Sequence, residues 1–128
     1  MLATQTRASV RDFPGRVEAE RELATALRRG APRFVAIVIA RRGLALAEQL
    51  GYDHADTAVL ECGLEMAERL PVWRWSGLAM MTLCERPEEL QHLSERAEVR
   101  ALYLPVFEDM STLTRALDTE AAMAIAGD

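Results

Sequence analysis

Residues Phe34–Ala40 form a continuous apolar run that is rich in β-branched side chains. A strand with one face in solvent alternates apolar and polar residues, whereas a strand covered on both faces is an unbroken apolar segment. The run is also far shorter than the roughly 20 residues that a membrane-spanning helix needs. It therefore predicts a central β-strand with helices packed against it, and this requirement constrains the fold more than any other feature of the chain.

Helical patterns lie on both sides of this strand. Acidic residues crowd the start of residues 17–29, two arginines end the segment and Gly30 follows it, which together predict a helix. After the strand, residues 44–50 predict a short helix. A longer helix is predicted with Asp56 or Thr57 as its N-cap. Its buried stripe would comprise Val59, Gly63, Met66, Ala67 and Leu70, and Pro71 would end it.

The second half of the chain predicts a hairpin, a further helix and strand, and a last helix. Residues 72–75 and 78–84 are predicted as two strands joined by the turn-compatible pair Ser76-Gly77. Residues 87–97 predict a helix, and residues 100–107 predict a strand that a proline places at a sheet edge or a strand end. The last helix would be lined by Met110, Leu113, Leu117, Ala121 and Ala124. The order predicts an α+β fold in which helices pack on a mainly antiparallel sheet.

Composition excludes several classes of function. The 128 residues suffice for one domain, assigned to residues 12–128 behind an N-terminal arm of residues 1–11. The net charge of −5 offers no basic face for nucleic acid. Cys62 and Cys84 lack metal-ligand spacing and are predicted as small buried hydrophobes. No apolar segment of a signal peptide is present at the N-terminus. We expect a cytoplasmic protein with no membrane insertion and no resident cofactor.

Five segments, in order along the chain, resemble motifs of the GGDEF family, the diguanylate cyclases. The signature hairpin of that family has Arg, an aromatic residue or Leu, and then Gly-Gly-Asp/Glu-Glu-Phe; residues 74–80, Arg-Trp-Ser-Gly-Leu-Ala-Met, are similar to it. The other four are residues 8–16, 34–48, 51–56 and 113–124, which keep Pro14, Arg16, Gly51 and Asp56 of the family motifs. The resemblance implies the α+β palm of nucleotide cyclases, trimmed at its C-terminal edge.

The same resemblance locates the residues on which the chemistry of the family depends, and most of them are replaced. The acidic hairpin positions that help to hold Mg²⁺ fall on Leu78 and Ala79, and the metal ligand at the end of the central strand falls on Ile39. A metal site for triphosphate chemistry needs hard oxygen ligands, which these side chains lack. No catalytic residue and no metal ligand is therefore predicted. Further metal, phosphate and base contacts of the family fall on Arg41, Gly43, Leu44 and Ala47.

Two residues remain as nucleotide contacts under the resemblance. Asp56 matches the Asp that contacts guanine in the family, and Arg74 matches the Arg of the hairpin. Each has a structural alternative: Asp56 as a helix N-cap, and Arg74 as the partner of an acid on the sheet surface. The product-binding Arg-x-x-Asp of the family has no counterpart in residues 68–73. Specific binding of the product is therefore doubtful.

The resemblance implies a catalytically inactive GGDEF-like domain that acts as a regulatory or protein-interaction module in bacterial cyclic di-GMP signalling. The alternative is a sensor that still binds GTP or a cyclic dinucleotide without making one. A partner or a second copy is expected at the hairpin, because apolar residues in place of carboxylates would leave an exposed apolar patch. The two tryptophans share a face of one strand, as core residues or as interface anchors. The predicted contact residues are Trp73, Trp75, Leu78 and Met80.

Overall fold

The structure is a computed structural model that describes residues 13–40, 48–93 and 97–126, with residues 40 and 52–56 described by their backbone alone. Along these ranges, a helix, a strand and a second helix are followed by three strands and a last helix. Two 3₁₀ segments, Pro87–Leu93 and Leu104–Val106, precede and follow the last strand. The elements are α1 (Arg16–Arg29), β1 (Phe34–Ala40), α2 (Tyr52–Ala67), β2 (Val72–Ser76), β3 (Ala79–Cys84), β4 (Ala97–Tyr103) and α3 (Met110–Ala126).

The four strands form one sheet in the order β2-β3-β1-β4. All neighbouring strands are antiparallel, and β1 lies between β3 and β4. Phe34 is opposite Cys84 on one side and Tyr103 on the other. The predicted α+β class, the antiparallel sheet and the central position of the apolar strand are therefore confirmed.

Helices cover both faces of β1, as its unbroken apolar sequence requires. Ala36 and Val38 face α2, whereas Val35, Ile37 and Ile39 face α1 and α3. All five side chains are buried, and burial of a Val or Ile side chain stabilises a fold by about 1.5–3 kcal/mol. We call the two apolar clusters the α2 core and the α1/α3 core. Within the described residues, no helix is long and apolar enough to cross a membrane.

The helices that pack on the α1/α3 core match the sequence pattern closely. Gly30 ends α1 with a φ of 75°, a conformation that glycine adopts without strain, and its N–H donates to the carbonyl of Ala26 at 2.8 Å. Asp109 precedes α3, and its carboxylate accepts a hydrogen bond of 2.7 Å from the backbone N–H of Thr112. The buried residues of α3 are Leu113, Leu117, Ala121 and Ala124, as predicted.

The boundaries of α2 differ from the prediction. The helix begins at Tyr52, so Asp56 lies inside it and is not its N-cap. Gly51 has a φ of 95°, and this turn of the backbone lets the chain enter the helix directly after residues 48–50, which are themselves helical. The helix ends at Ala67, before the predicted end at Pro71, and residues 68–69 form a turn. The rest of the predicted short helix, residues 44–47, lies outside the described ranges.

Three further boundaries were wrong. The hairpin turns at Gly77 and Leu78, not at Ser76-Gly77. Ala97, expected at the end of a helix, is the first residue of β4, and the strand ends at Tyr103 instead of continuing to residue 107. The proline after it lies in a 3₁₀ segment, where its missing N–H is harmless. β4 is an edge strand, as the proline had indicated.

Candidate functional site

The β2–β3 hairpin is the candidate site, because it is the counterpart of the signature hairpin of the resemblance. Arg74 pairs with Met80 across the hairpin, and an irregularity between Arg74 and Ser76 brings Ser76 opposite Ala79. The Arg74 side chain donates through Nη2 to the carbonyl of Gly77 at 2.6 Å and through Nε to the carbonyl of Ser76 at 3.4 Å. The guanidinium therefore holds the carbonyls of the turn, and the predicted pairing of Arg74 with an acid on the sheet surface stays a prediction.

The sheet register brings together two of the positions at which the resemblance expects metal ligands. Ile39 at the end of β1 is directly opposite Ala79 at the start of β3. Both side chains are completely buried in the α1/α3 core, and Leu78 is buried in the α2 core with 8% of its surface exposed. Three apolar side chains thus occupy these positions and contribute no oxygen atom. Across the described ranges, no group of three or more His, Cys, Asp or Glu residues is placed to hold a metal ion.

The prediction of an exposed apolar patch at the hairpin is wrong. Trp73 and Trp75 are buried in the α1/α3 core, and Leu78 and Met80 are buried in the α2 core. The most exposed of the four is Trp73, at 9%. Because the strand alternates, each residue points into one of the two cores, and helices cover both faces of the sheet. The two tryptophans are therefore core residues and not interface anchors. The four predicted contact side chains are too buried to form a contact surface.

A group of polar and charged side chains surrounds Trp75 of the hairpin. The guanidinium of Arg16 lies 3.7 Å from the centroid of the Trp75 ring. The indole N–H of Trp75 donates to Asp118 at 2.9 Å, and Arg16 donates to both oxygens of the same carboxylate at 3.0 and 3.2 Å. Arg16 also donates to Glu20 at 2.6 Å. Partial burial opposes the charged form of Arg16, but the hydrogen bonds to Asp118 and Glu20 prevail and raise its pKa.

Sequence reasoning did not single out Arg16 and Asp118 as partners. The available signal was that each lies in a segment that resembles the family, one near each end of the chain. Sequence separation hid the contact, because the two residues are 102 positions apart. Asp56 cannot be placed in the same way: it belongs to α2, but its side chain lies outside the described part of the chain, as do residues 41–47, to which the further metal, phosphate and base contacts were assigned.

A cavity of about 400 Å³ lies between the C-terminal end of α2 and the 3₁₀ segment that follows β3. Its wall includes residues 68–70, part of the stretch that the resemblance aligns with the product-binding motif of the family. Three carboxylates and one guanidinium line it, so its charge disfavours a phosphate-bearing ligand. The charged and polar lining residues are Glu65, Glu68, Glu89, Arg69 and His92.

No protein-family model and no curated protein matches the sequence. Solved structures of GGDEF domains do match the fold. A diguanylate cyclase/phosphodiesterase from Caldicellulosiruptor saccharolyticus aligns with a TM-score of 0.68 at 13% identity, over 91% of this chain and 85% of that one. The GGDEF domain of TpbB or YfiN from Pseudomonas aeruginosa aligns with a TM-score of 0.63 at 16% identity, over 94% of this chain and 89% of that one. These likenesses show the fold.

A third match is the S helix-GGDEF-EAL chain of LapD from Vibrio cholerae, bound to c-di-GMP. It aligns with a TM-score of 0.64 at 19% identity over 91% of this chain. The present chain spans 34% of the length of that protein. The architecture described above is thus the palm of GGDEF domains, as the resemblance implied.

Proposed function

We propose that this chain is a catalytically inactive GGDEF-fold domain that serves as a regulatory or protein-interaction module in cyclic di-GMP-type signalling. The observation that carries the proposal is the burial of Ile39, Leu78 and Ala79 at the positions where a cyclase would hold its metal ions. Mg²⁺ requires oxygen ligands in near-octahedral geometry. An alkyl side chain cannot supply one, and a buried position cannot be reached by a hydrated ion.

The sheet register agrees with this proposal. Ile39 and Ala79 are opposite each other on adjacent strands, so a metal held between the two strands would need carboxylates from both. Here both side chains contribute to the packing of the α1/α3 core. Under this proposal, the two side chains stabilise the fold and take no part in chemistry.

A second candidate function is the binding of GTP or a cyclic dinucleotide without turnover. Its support is that two structures with this fold are described with cyclic di-GMP: LapD bound to c-di-GMP, and a microbial GGDEF domain with a novel interaction mode for that dinucleotide. Against it stands the acidic lining of the cavity at the end of α2. Arg74 also donates to the backbone carbonyls of Ser76 and Gly77, so fewer of its N–H groups remain to bind a nucleotide. We rank dinucleotide binding second.

A protein partner would have to dock away from the hairpin, because the hairpin side chains are buried. Large apolar side chains that are exposed occur on other parts of the described surface. Two of them, Tyr103 and Val106, lie close together in sequence where β4 ends, at 42% and 68% exposure. The other three are Val17, Leu50 and Met123.

Incubation of the purified protein with GTP and Mg²⁺, followed by chromatography for cyclic di-GMP, tests the proposed inactivity. We expect no product above a buffer blank, while an active cyclase run in parallel shows that the assay detects turnover. Product that disappears in Asp56→Ala would overturn the proposal, since it would show a working site at the position that the resemblance assigns to the guanine base.

A further inference from the structure

Residues 13–16, which we call the strap, cross the edge of the sheet at β2. The carbonyl of Pro14 accepts a hydrogen bond of 2.8 Å from the backbone N–H of Arg74, so the strap is bonded to the edge strand itself. Phe13, which precedes Pro14, lies on the α2 face of the sheet, whereas Arg16 lies on the opposite face. Four consecutive residues therefore join the two cores around the edge.

On the α2 face, the strap is anchored by Phe13. Its ring is partly buried and packs against the α2 core. Gly63 of α2 allows this close approach, because a Cβ there would lie 3.2 Å from a ring atom of Phe13 and 3.1 Å from the methyl carbon of Met80. Real Cβ contacts are rarely so short, so a side chain at position 63 would displace the ring or the methionine.

On the opposite face, the strap is anchored by Arg16 at the start of α1. Arg16 stacks on the Trp75 ring and binds Asp118 of α3 with both terminal nitrogens. Trp75 also donates its indole N–H to Asp118. A bidentate pair combined with a stacked aromatic ring fixes a guanidinium more tightly than a single ion pair does.

We propose that the strap is a conformational latch that couples the two faces of the β2–β3 hairpin to each other. Withdrawal of Phe13 from the α2 core releases the bond between Pro14 and Arg74 and the stack of Arg16 on Trp75 with it. A displacement of the strap is thereby delivered to both faces of the hairpin at once. The latch does not depend on the proposed function, because it operates whether or not the protein binds a nucleotide.

A perturbation on one face with a measurement on the other tests the latch. Phe13→Ala should accelerate solvent exchange of the Trp75 indole N–H by about tenfold relative to the Ile37 amide at the centre of the sheet. Proton NMR resolves both signals, and Trp73→Phe assigns the two indoles. The matched control is Val59→Ala, which weakens the same core at a residue that is not part of the strap.

The control should leave the ratio of the Trp75 and Ile37 exchange rates at its wild-type value. An unchanged ratio in Phe13→Ala would overturn the proposal, because the two faces would then open independently. The milder Phe13→Leu variant gives the same comparison if the alanine variant does not fold.

The wild-type protein supplies a second test. One latch opens as one unit, so the backbone amide of Arg74 and the indole N–H of Trp75 should show the same opening free energy by native-state exchange, within a factor of about two in the opening constant. A difference of about tenfold or more between them would show two separate openings and contradict the latch.

Discussion

The substitution Ala79→Glu distinguishes most sharply between two hypotheses: that the hairpin is buried in the core, and that it lines a surviving active site. It restores the residue type that the resemblance expects at this position. In the structure, however, Ala79 has no exposed surface and lies opposite Ile39 within the α1/α3 core. A glutamate side chain there would have to be accommodated in a packed interior or would force the hairpin to open.

Two costs determine how much stability Ala79→Glu should lose. Adding the extra atoms of glutamate to a packed core costs about 1–3 kcal/mol, and desolvation of a carboxyl group without a hydrogen-bond partner costs about 1–3 kcal/mol more. The sum, about 2–6 kcal/mol, is a large part of the 5–15 kcal/mol that stabilises a typical domain. Because burial disfavours the charged form, the pKa of the new carboxyl should be raised, so stability should be recovered at low pH and lost as pH rises.

Urea unfolding followed by circular dichroism measures this loss, with the slope of the transition as the check on two-state behaviour. Ala101→Glu is the matched control, since Ala101 is an exposed alanine on the edge strand β4, and it should change the free energy of unfolding by less than about 0.5 kcal/mol. If Ala79→Glu were as harmless as the control, the position would face an open cleft and the account of the hairpin would fail. For the same reason, Leu78→Asp combined with Ala79→Glu should not produce cyclase activity.

Two further results are expected from the cores. Thr82 is buried and donates its hydroxyl to the carbonyl of Pro71 at 2.6 Å. Thr82→Val removes this bond at nearly constant volume and should lower the free energy of unfolding by about 1 kcal/mol, measured by urea unfolding. Burial, followed by the nearby Glu89 carboxylate, raises the pKa of Cys84 from its ordinary 9.0 to about 11, so its thiol should react with Ellman's reagent far more slowly at neutral pH in the folded protein than in urea. The stability due to the protonated thiol should be complete below pH 9.0 and fall as pH rises toward 11, and a flat profile there would contradict the raised pKa.

The elements that the sequence predicted well are those whose pattern records burial directly. Phe34–Ala40 is apolar at every position because helices cover both faces of the strand. The stripe of the last helix, from Leu113 to Ala124, repeats at helical spacing because one face meets the α1/α3 core. In both cases the apolar pattern exists because those side chains are buried, so the pattern alone was enough to predict the element and its buried face.

The errors arose where a distant contact or a backbone conformation decided the outcome. The start of α2 depends on the positive φ of Gly51, which the residue type allows but does not require. The burial of Leu78 and Ala79 depends on helices that are far away in sequence, so a local pattern of apolar residues at a turn could equally have been an exposed patch. The partnership of Arg16 with Asp118 was hidden for the same reason.

Calorimetric titration with GTP and with cyclic di-GMP, each in the presence and absence of Mg²⁺, tests the central claim most directly. Because apolar core residues occupy the positions of the metal ligands and carboxylates line the cavity at the end of α2, the account predicts only heats of dilution in all four titrations. Stoichiometric binding of GTP that requires Mg²⁺ and is lost in Asp56→Ala would contradict it, because a functional metal–nucleotide site would then exist beside the hairpin.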